Sequence, residues 1–251
     1  MHSLLSFAAE AELGWWSNLA AQFHQNFIAA DRWKYLTNGL LVTVEIALGA
    51  VLVGLILGLL IASIRATHDK TGRLVILDFI CKIYLTVIRG TPQLIQILII
   101  YFVIFASLDV SKLLVAIMAF GINSGAYTAE IIRAGIMAVD RGQFEAGSSL
   151  GLNYTQTMDR IIIPQAFKTV LPALANEFIT LLKDTSLASC IAMQELTKGG
   201  TIIRSQTYNA FMPLIAVALI YLVVVCGISK LVAEKIHQIW QAKEASRELT
   251  I

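Results

Sequence analysis

Apolar residues along this chain fall into long blocks separated by short polar ones, and the block lengths predict the elements. Ile46 to Ile64 runs 19 residues without a charge. As a helix, such a stretch crosses a hydrocarbon core about 30 Å thick. The first span is therefore drawn from about Leu36 to Ile64, with Glu45 as its lone charge near one end. Gly54 and Gly58, with Gly49 before them, permit close helix packing, although that spacing is common in membrane helices. A basic loop with Arg65, Lys70 and Arg73 follows. The next block, about Leu74 to Leu108, is too long for one straight crossing and is interrupted by Arg89-Gly90-Thr91-Pro92. Pro92 lacks an N–H and disfavours an α conformation at Thr91. Thr91 is thus expected to cap a half-helix beginning at Pro92. A third span is expected from about Lys112 to Val139, with Gly121 and Gly125 as a small-residue seam and Glu130 paired to Arg133. A fourth, about Thr169 to Met193, carries Glu177, Lys183 and Asp184. A short polar loop with Glu195, Lys198, Gly199, Gly200 and Arg204 leads to a fifth, within the 25 uncharged residues Ser205 to Ser229.

Between the third and fourth spans the pattern changes. Glu145 to Ala166 is polar, amphipathic and broken twice. Phe144 to Leu150 suffices for about two turns. Gly151 permits the positive φ that stops a helix. Asn153, Thr155 or Thr157 is expected to cap a second short helix that Pro164 ends. A helix–Gly–helix hook is therefore predicted over residues 144–166. At the other end, residues 1–35 carry Trp15, Trp16, Phe23, Phe27 and Trp33 among Asn, Gln and Ala. They lack the basic start and compact apolar core of a cleaved signal and read as an interfacial amphipathic helix.

Composition narrows the class. The chain is 57% apolar and 14% charged, against about 25% charged in soluble domains. The fold class is all-α, a polytopic membrane protein with five transmembrane helices. A net charge of +2 is too small to argue for nucleic acid. Cys81, Cys190 and Cys226 lie in apolar blocks without ligand spacing and read as buried free thiols. His2, His24, His68 and His237 lack mutual spacing or a carboxylate pattern and read as surface residues. No metal site is expected, no catalytic Ser/His or Cys/His set is found, and no phosphate loop is present.

Loop charges orient the spans. The loop at 65–73, the region 133–168 and the tail hold 11 basic residues, against 5 on the other side. The positive-inside rule then places the N-terminus outside, and the hook and tail inside.

Candidate chemistry lies in the charges left within the membrane, each costing about 2.5–3.5 kcal/mol at the bilayer centre even on the lenient insertion scale. Arg89 adjoins the Thr91-Pro92 break, where a half-helix start would present free N–H groups to a carboxylate. Glu177 and Asp184 are seven apart, hence on one helix face, and suit an ammonium group. Together they suit a zwitterionic amino acid. The alternative is that Arg89, Glu177, Lys183 and Asp184 pair structurally among themselves.

The hook resembles the cytoplasmic docking loop of binding-protein-dependent ABC importer permeases, written E-A-A, three residues, Gly, then Ile-x-Leu-Pro. Glu145, Ala146, Gly151, Ile161 and Pro164 match, while Gly147 replaces the second Ala and Ile163 the Leu. Arg89-Gly90-Thr91-Pro92-Gln93, the run Ala126 to Arg133, and the run Leu182 to Leu187 are similar to words of the polar amino acid branch (histidine, glutamine and arginine permeases). The resemblance covers about residues 36 to 240. It implies a type I ABC importer permease fold, a coupling helix at 144–166, and ATPase docking through Glu145, Ala146, Gly151, Ile161 and Pro164. It also implies that Arg89, Thr91, Gln93, Lys183 and Asp184 line a midplane amino-acid site. Implied partners are two ABC ATPase subunits that bind the ATP and Mg, a second permease subunit (identical or paralogous), and an extracytoplasmic solute-binding protein. The chain itself is expected to bind no cofactor. The domains read as 1–35 interfacial, 36–240 permease and 241–251 tail. An ion-coupled secondary amino-acid carrier is the alternative function, and an assembly subunit that carries no substrate is a third.

Overall fold

The computed structural model describes residues 17–248, so Trp15, Trp16 and the last three residues lie outside the described part. Among the described residues every regular element is helical. Residues 17–23 are helical and run into a π-turn, His24–Ile28, and a short 3-10 turn, Ala29–Asp31. Helix α1 is Trp33–Thr71. Gly72 stops it with φ 64 and an N–H bonded to the carbonyl of His68. Helix α2, Val75–Gly90, breaks at Thr91-Pro92 into α3, Gln93–Ile99, which continues as a π-turn to Ile104. The two arms are bent by 111°. Helix α4 is Lys112–Met137, and Ser111 caps it by accepting from the Leu114 N–H.

The hook supplies α5, Gly142–Ser149, and α6, Tyr154–Thr157. A π-turn at Met158–Ile162 leads into α7, Ile163–Asp184. Pro164 therefore lies at the start of a long helix and does not end a short one. The missing N–H costs nothing in a first turn, where it would be unsatisfied anyway. The expected fourth span thus begins earlier and finishes earlier, with a 3-10 run, Thr185–Ile191, after Asp184. The stretch read as a polar outer loop is also a helix, α8, Leu196–Thr207, and α9 is Phe211–Glu248.

The seams predicted separately on the first and third spans face one another. A Cβ on Gly54 would sit 3.0 Å from the Ser124 hydroxyl, and one on Gly121 would sit 2.6 Å from Val53. Close approach of α1 and α4 is what these glycines provide. Around this pair Ile46, Phe120, Ile97, Ile100, Leu181 and Ile191 form one core. That core brings α3 and the turn after Asp184 together.

Three helices are long and apolar enough to cross a membrane: most of α1, α4, and α9 to Ile236. The bent pair α2–α3 gives a fourth when its two arms are counted as one broken span. The expected total of five rests on α7, whose 22 residues include Lys168, Glu177, Lys183 and Asp184. The N-terminal segment is tied to protein as well as interfacial in composition. Phe27 is buried with Leu36, Leu196, Ile203 and Val217. Asn26, fully buried, accepts from the Thr207 hydroxyl at 2.8 Å.

Candidate functional site

The break at Thr91-Pro92 is built by its own side chains. Pro92, with φ −63 and ψ 132, occupies the cap position of α3, and no side chain caps it. Thr91 is thus not the expected cap. Its hydroxyl turns back and donates to the Val87 carbonyl at 2.8 Å. The end of α2 is closed instead by Gln96, whose Nε2 donates to the Ile88 carbonyl at 2.7 Å and to the Thr91 carbonyl and hydroxyl at 3.1 and 2.7 Å. Its Oε1 accepts from Asn123 Nδ2 on α4 at 2.9 Å. Both amides are buried. Gln96 and Asn123 were missed as site residues. The signal was a pair of amides inside apolar runs, which buried polar groups justify only with partners. One residue away from the break, Gln93 Nε2 is buried without a hydrogen-bond partner.

Arg89 sits at the end of α2 with its side chain 46% exposed. Its guanidinium lies over the Tyr127 ring, 6.0 Å from the centroid. Its nearest carboxylate is Glu130, at 3.7 Å. Glu130 does not take the expected Arg133 as its ion-pair partner; it bonds Arg65 at 3.2 Å, because α1 and α2 both bring an arginine to this face of α4. Arg65 also approaches Asp78, which holds Lys82 at 2.7 Å and lies 3.5 Å from His68. His68 therefore does face carboxylates, contrary to the surface reading. Arg65, Lys82, Thr86, Arg89 and Glu130 line a polar cavity of about 410 Å³.

Glu177 is drawn elsewhere. It accepts from the Ser124 hydroxyl at 3.0 Å and lines a separate, mainly apolar cavity of about 440 Å³ with Thr128, Leu174 and Lys235. Asp184 is half-buried at the end of α7, beside α3, and Lys183 is exposed. No ion pair joins Arg89, Glu177, Lys183 and Asp184 among the described residues, so the alternative of mutual structural pairing is not what forms here.

The hook matches its pattern closely. Gly151 has φ 76, and no atom of the described residues lies within 4 Å of a Cβ built there. Asn153, and not Thr155 or Thr157, caps α6, in a capping box with Gln156. Phe144 stacks on Tyr154 at 6.0 Å. The Gly147 that departs from the pattern is buried, and a Cβ there would meet Thr157 at 2.6 Å. Glu145, Ala146 and Gly151 are exposed, Ile161 and Pro164 partly so, and Leu150 is 76% exposed at the tip.

Two further sequence readings change. Cys81 is buried, but Cys190 and Cys226 are exposed. Glu195 is fully buried, not in a loop. It caps α8 by accepting from the N–H groups of Thr197 and Lys198, both at 2.7 Å, and from the Tyr221 hydroxyl at 3.3 Å.

A bundle with a bent span and an exposed helix–Gly–helix hook is the architecture of an importer permease. Residues 54–236 match the family of binding-protein-dependent transport system inner membrane components, and the chain belongs to that family. A permease protein of Rickettsia bellii whose name, GlnP, assigns it to a glutamine transport system is 39% identical over 197 residues, covering 78% of this chain and 88% of the relative. The arginine transport system permease protein ArtQ of Bacillus subtilis is 37% identical over 193 residues, covering 76% and 86%. Among solved structures, a crystal structure of an amino acid ABC transporter with histidines superposes with a TM-score of 0.77 at 39% identity, covering 84% of this chain and 98% of that one. The all-α importer permease fold read from the sequence is thus the fold of the molecule, and its function is that of a membrane permease component of an ABC importer.

Proposed function

We propose that this permease imports a polar amino acid, with Arg89 receiving the carboxylate and Asp184 or Glu177 the ammonium group. The observation that carries the reading is Arg89 itself. It is a permanently charged guanidinium at a break in a spanning segment, half-exposed, with its nearest anion beyond hydrogen-bonding distance. Gln93, whose Nε2 has no hydrogen-bond partner, and Thr91 follow it closely along the chain at the break and would add neutral hydrogen-bonding groups. Asp184 is the better-placed acid, since its turn shares a core with α3 while Glu177 is engaged by Ser124. Lys183, which forms no ion pair with Asp184 among the described residues, is left to contact the substrate's side chain. Relatives named for glutamine and arginine transport support the substrate class.

In this reading α7 is the fourth of five spans, the N-terminus is outside, and the hook and tail are in the cytoplasm. Residues 1–35 lie at the outer interface, 36–240 form the permease and 241–251 the tail. Two copies, or one copy and a paralogue, form the pathway. Two ATPase subunits dock on the hooks and supply the ATP and Mg chemistry, because this chain holds no phosphate loop. An external solute-binding protein delivers the amino acid.

Arg89→Ala tests the site in proteoliposomes holding the whole complex. Losing a charge-assisted hydrogen bond costs roughly 1.5–3 kcal/mol, so uptake at limiting substrate is expected to fall about tenfold or more. Basal ATP hydrolysis and assembly are expected to persist. The lipid-facing control Leu219→Ala, at a side chain 54% exposed, is expected to transport normally. Full uptake by Arg89→Ala contradicts the reading.

A further inference from the structure

Glu130 stands between two arginines and satisfies only one. Its Oε1 bonds Arg65 at 3.2 Å, while its Oε2 lies 3.7 Å from Arg89, too far for a hydrogen bond. Arg65 is largely covered, at 15% side-chain exposure, whereas Arg89 is 46% exposed. The polar cavity of about 410 Å³ opens between them, with Lys82 and Thr86 on its wall. Cations outnumber anions around it by one, since Arg65, Lys82 and Arg89 face Glu130 from the wall and Asp78 from behind, which lies 3.6 Å from Arg65. Asp78, packed behind, holds Lys82 at 2.7 Å. The Thr86 hydroxyl already donates to the Lys82 carbonyl at 2.8 Å, which leaves it only acceptor capacity.

We propose that this cavity is the seat of the substrate's carboxylate, and that Glu130 is an internal counter-anion which the carboxylate displaces from Arg89. The proposal rests on the reading of Arg89 given above and adds a positioning residue to it. An empty site whose three cations had only Asp78 to offset them would be costly inside a membrane protein. Glu130 lowers that cost while leaving the planar donor edge of Arg89 open to a bidentate guest. The same charge repels the guest's carboxylate, so Glu130 weakens binding and speeds release. An importer gains from both, because substrate held too tightly is not delivered.

The test is Glu130→Gln, which keeps the shape and one acceptor for Arg65 while removing the charge. Affinity is read by equilibrium dialysis of the amino acid against the purified permease–ATPase complex, without binding protein. Kd is expected to fall about two- to fivefold, the size of partly exposed ion pairs, and the maximal uptake rate in proteoliposomes is expected to fall with it. A merely structural Glu130 would weaken binding or leave it alone, and either result overturns the proposal. The carboxamide of the same amino acid is expected to gain nothing, and an equal gain would overturn the carboxylate assignment. If Glu130→Gln changes only the dependence of uptake on anionic lipid in the vesicles, the cavity belongs to lipid phosphate and the proposal fails. Should the variant not assemble, Arg65→Gln decides, because Glu130 then has Arg89 as its near partner. Kd is expected to rise, and an unchanged or lower Kd contradicts the proposal. Loss of uptake in Arg89→Ala with no gain in Glu130→Gln overturns this inference alone, whereas full uptake in Arg89→Ala overturns the underlying reading.

Discussion

At the level of single residues, the break between α2 and α3 depends on one buried amide. Gln96 satisfies two orphan carbonyls at the end of α2, accepts a hydrogen bond from Asn123, and so holds the element carrying Arg89 against α4. Gln96→Leu keeps the volume and removes every one of these bonds. A buried group left without its partner costs about 1–3 kcal/mol. The purified complex is expected to lose thermal stability by that order and to transport more slowly at all substrate concentrations. Unchanged stability together with unchanged uptake would remove Gln96 from the account. Gln96 was hard to read from sequence because a lone Gln in an apolar run has no period and no motif. Arg89 was legible because a membrane charge beside a proline is improbable without a use. Its partner was not. Spacing along α4 offered Arg133 to Glu130, but tertiary packing brought Arg65 and Arg89, and a neighbour on the same helix contributes only about 0.2–0.5 kcal/mol.

The same contrast governs the elements. Long uncharged runs were unambiguous, so α1, α4 and α9 stand close to where hydropathy put them. The two glycine seams were each weak alone, and only the structure makes them one interface. Helix α8 was lost because its polar face and its two glycines, Gly199 and Gly200, read as loop. Those glycines are there for packing. One abuts α1 at the Tyr35 carbonyl and the other abuts Val217 of α9. Pro164 misled because a proline reads equally as a stop and as a first turn. Element sidedness can be measured directly. With the native cysteines replaced, single cysteines at the exposed Gln156 of α6 and at Tyr208, 96% exposed after α8, are treated with a membrane-impermeant thiol reagent. In right-side-out vesicles, Tyr208→Cys is expected to label and Gln156→Cys to stay unlabelled until the membrane is opened. Labelling of Gln156→Cys from outside would reverse the orientation.

The whole molecule holds two separate parts, a polar cavity at the α2 break and an exposed hook between α4 and α7. The hook is preformed. Gly151 turns the chain, Asn153 starts α6, and the Gly147–Thr157 contact closes the two arms on each other. Leu150 at the tip is 76% exposed among the described residues. Such a surface fits the proposed docking to an ATPase subunit, which in that reading couples hydrolysis to the site. Gly151→Asp tests this most directly. A side chain at φ 76 strains the turn by roughly 1–2 kcal/mol, and the added carboxylate projects where the partner would approach. The measurement is ATP-driven amino-acid uptake by the reconstituted complex, with co-purification of the ATPase subunit scored alongside. The expected result is a permease that still inserts in the membrane but loses its ATPase partner or hydrolyses ATP without transport. Normal co-purification together with normal uptake would contradict the account.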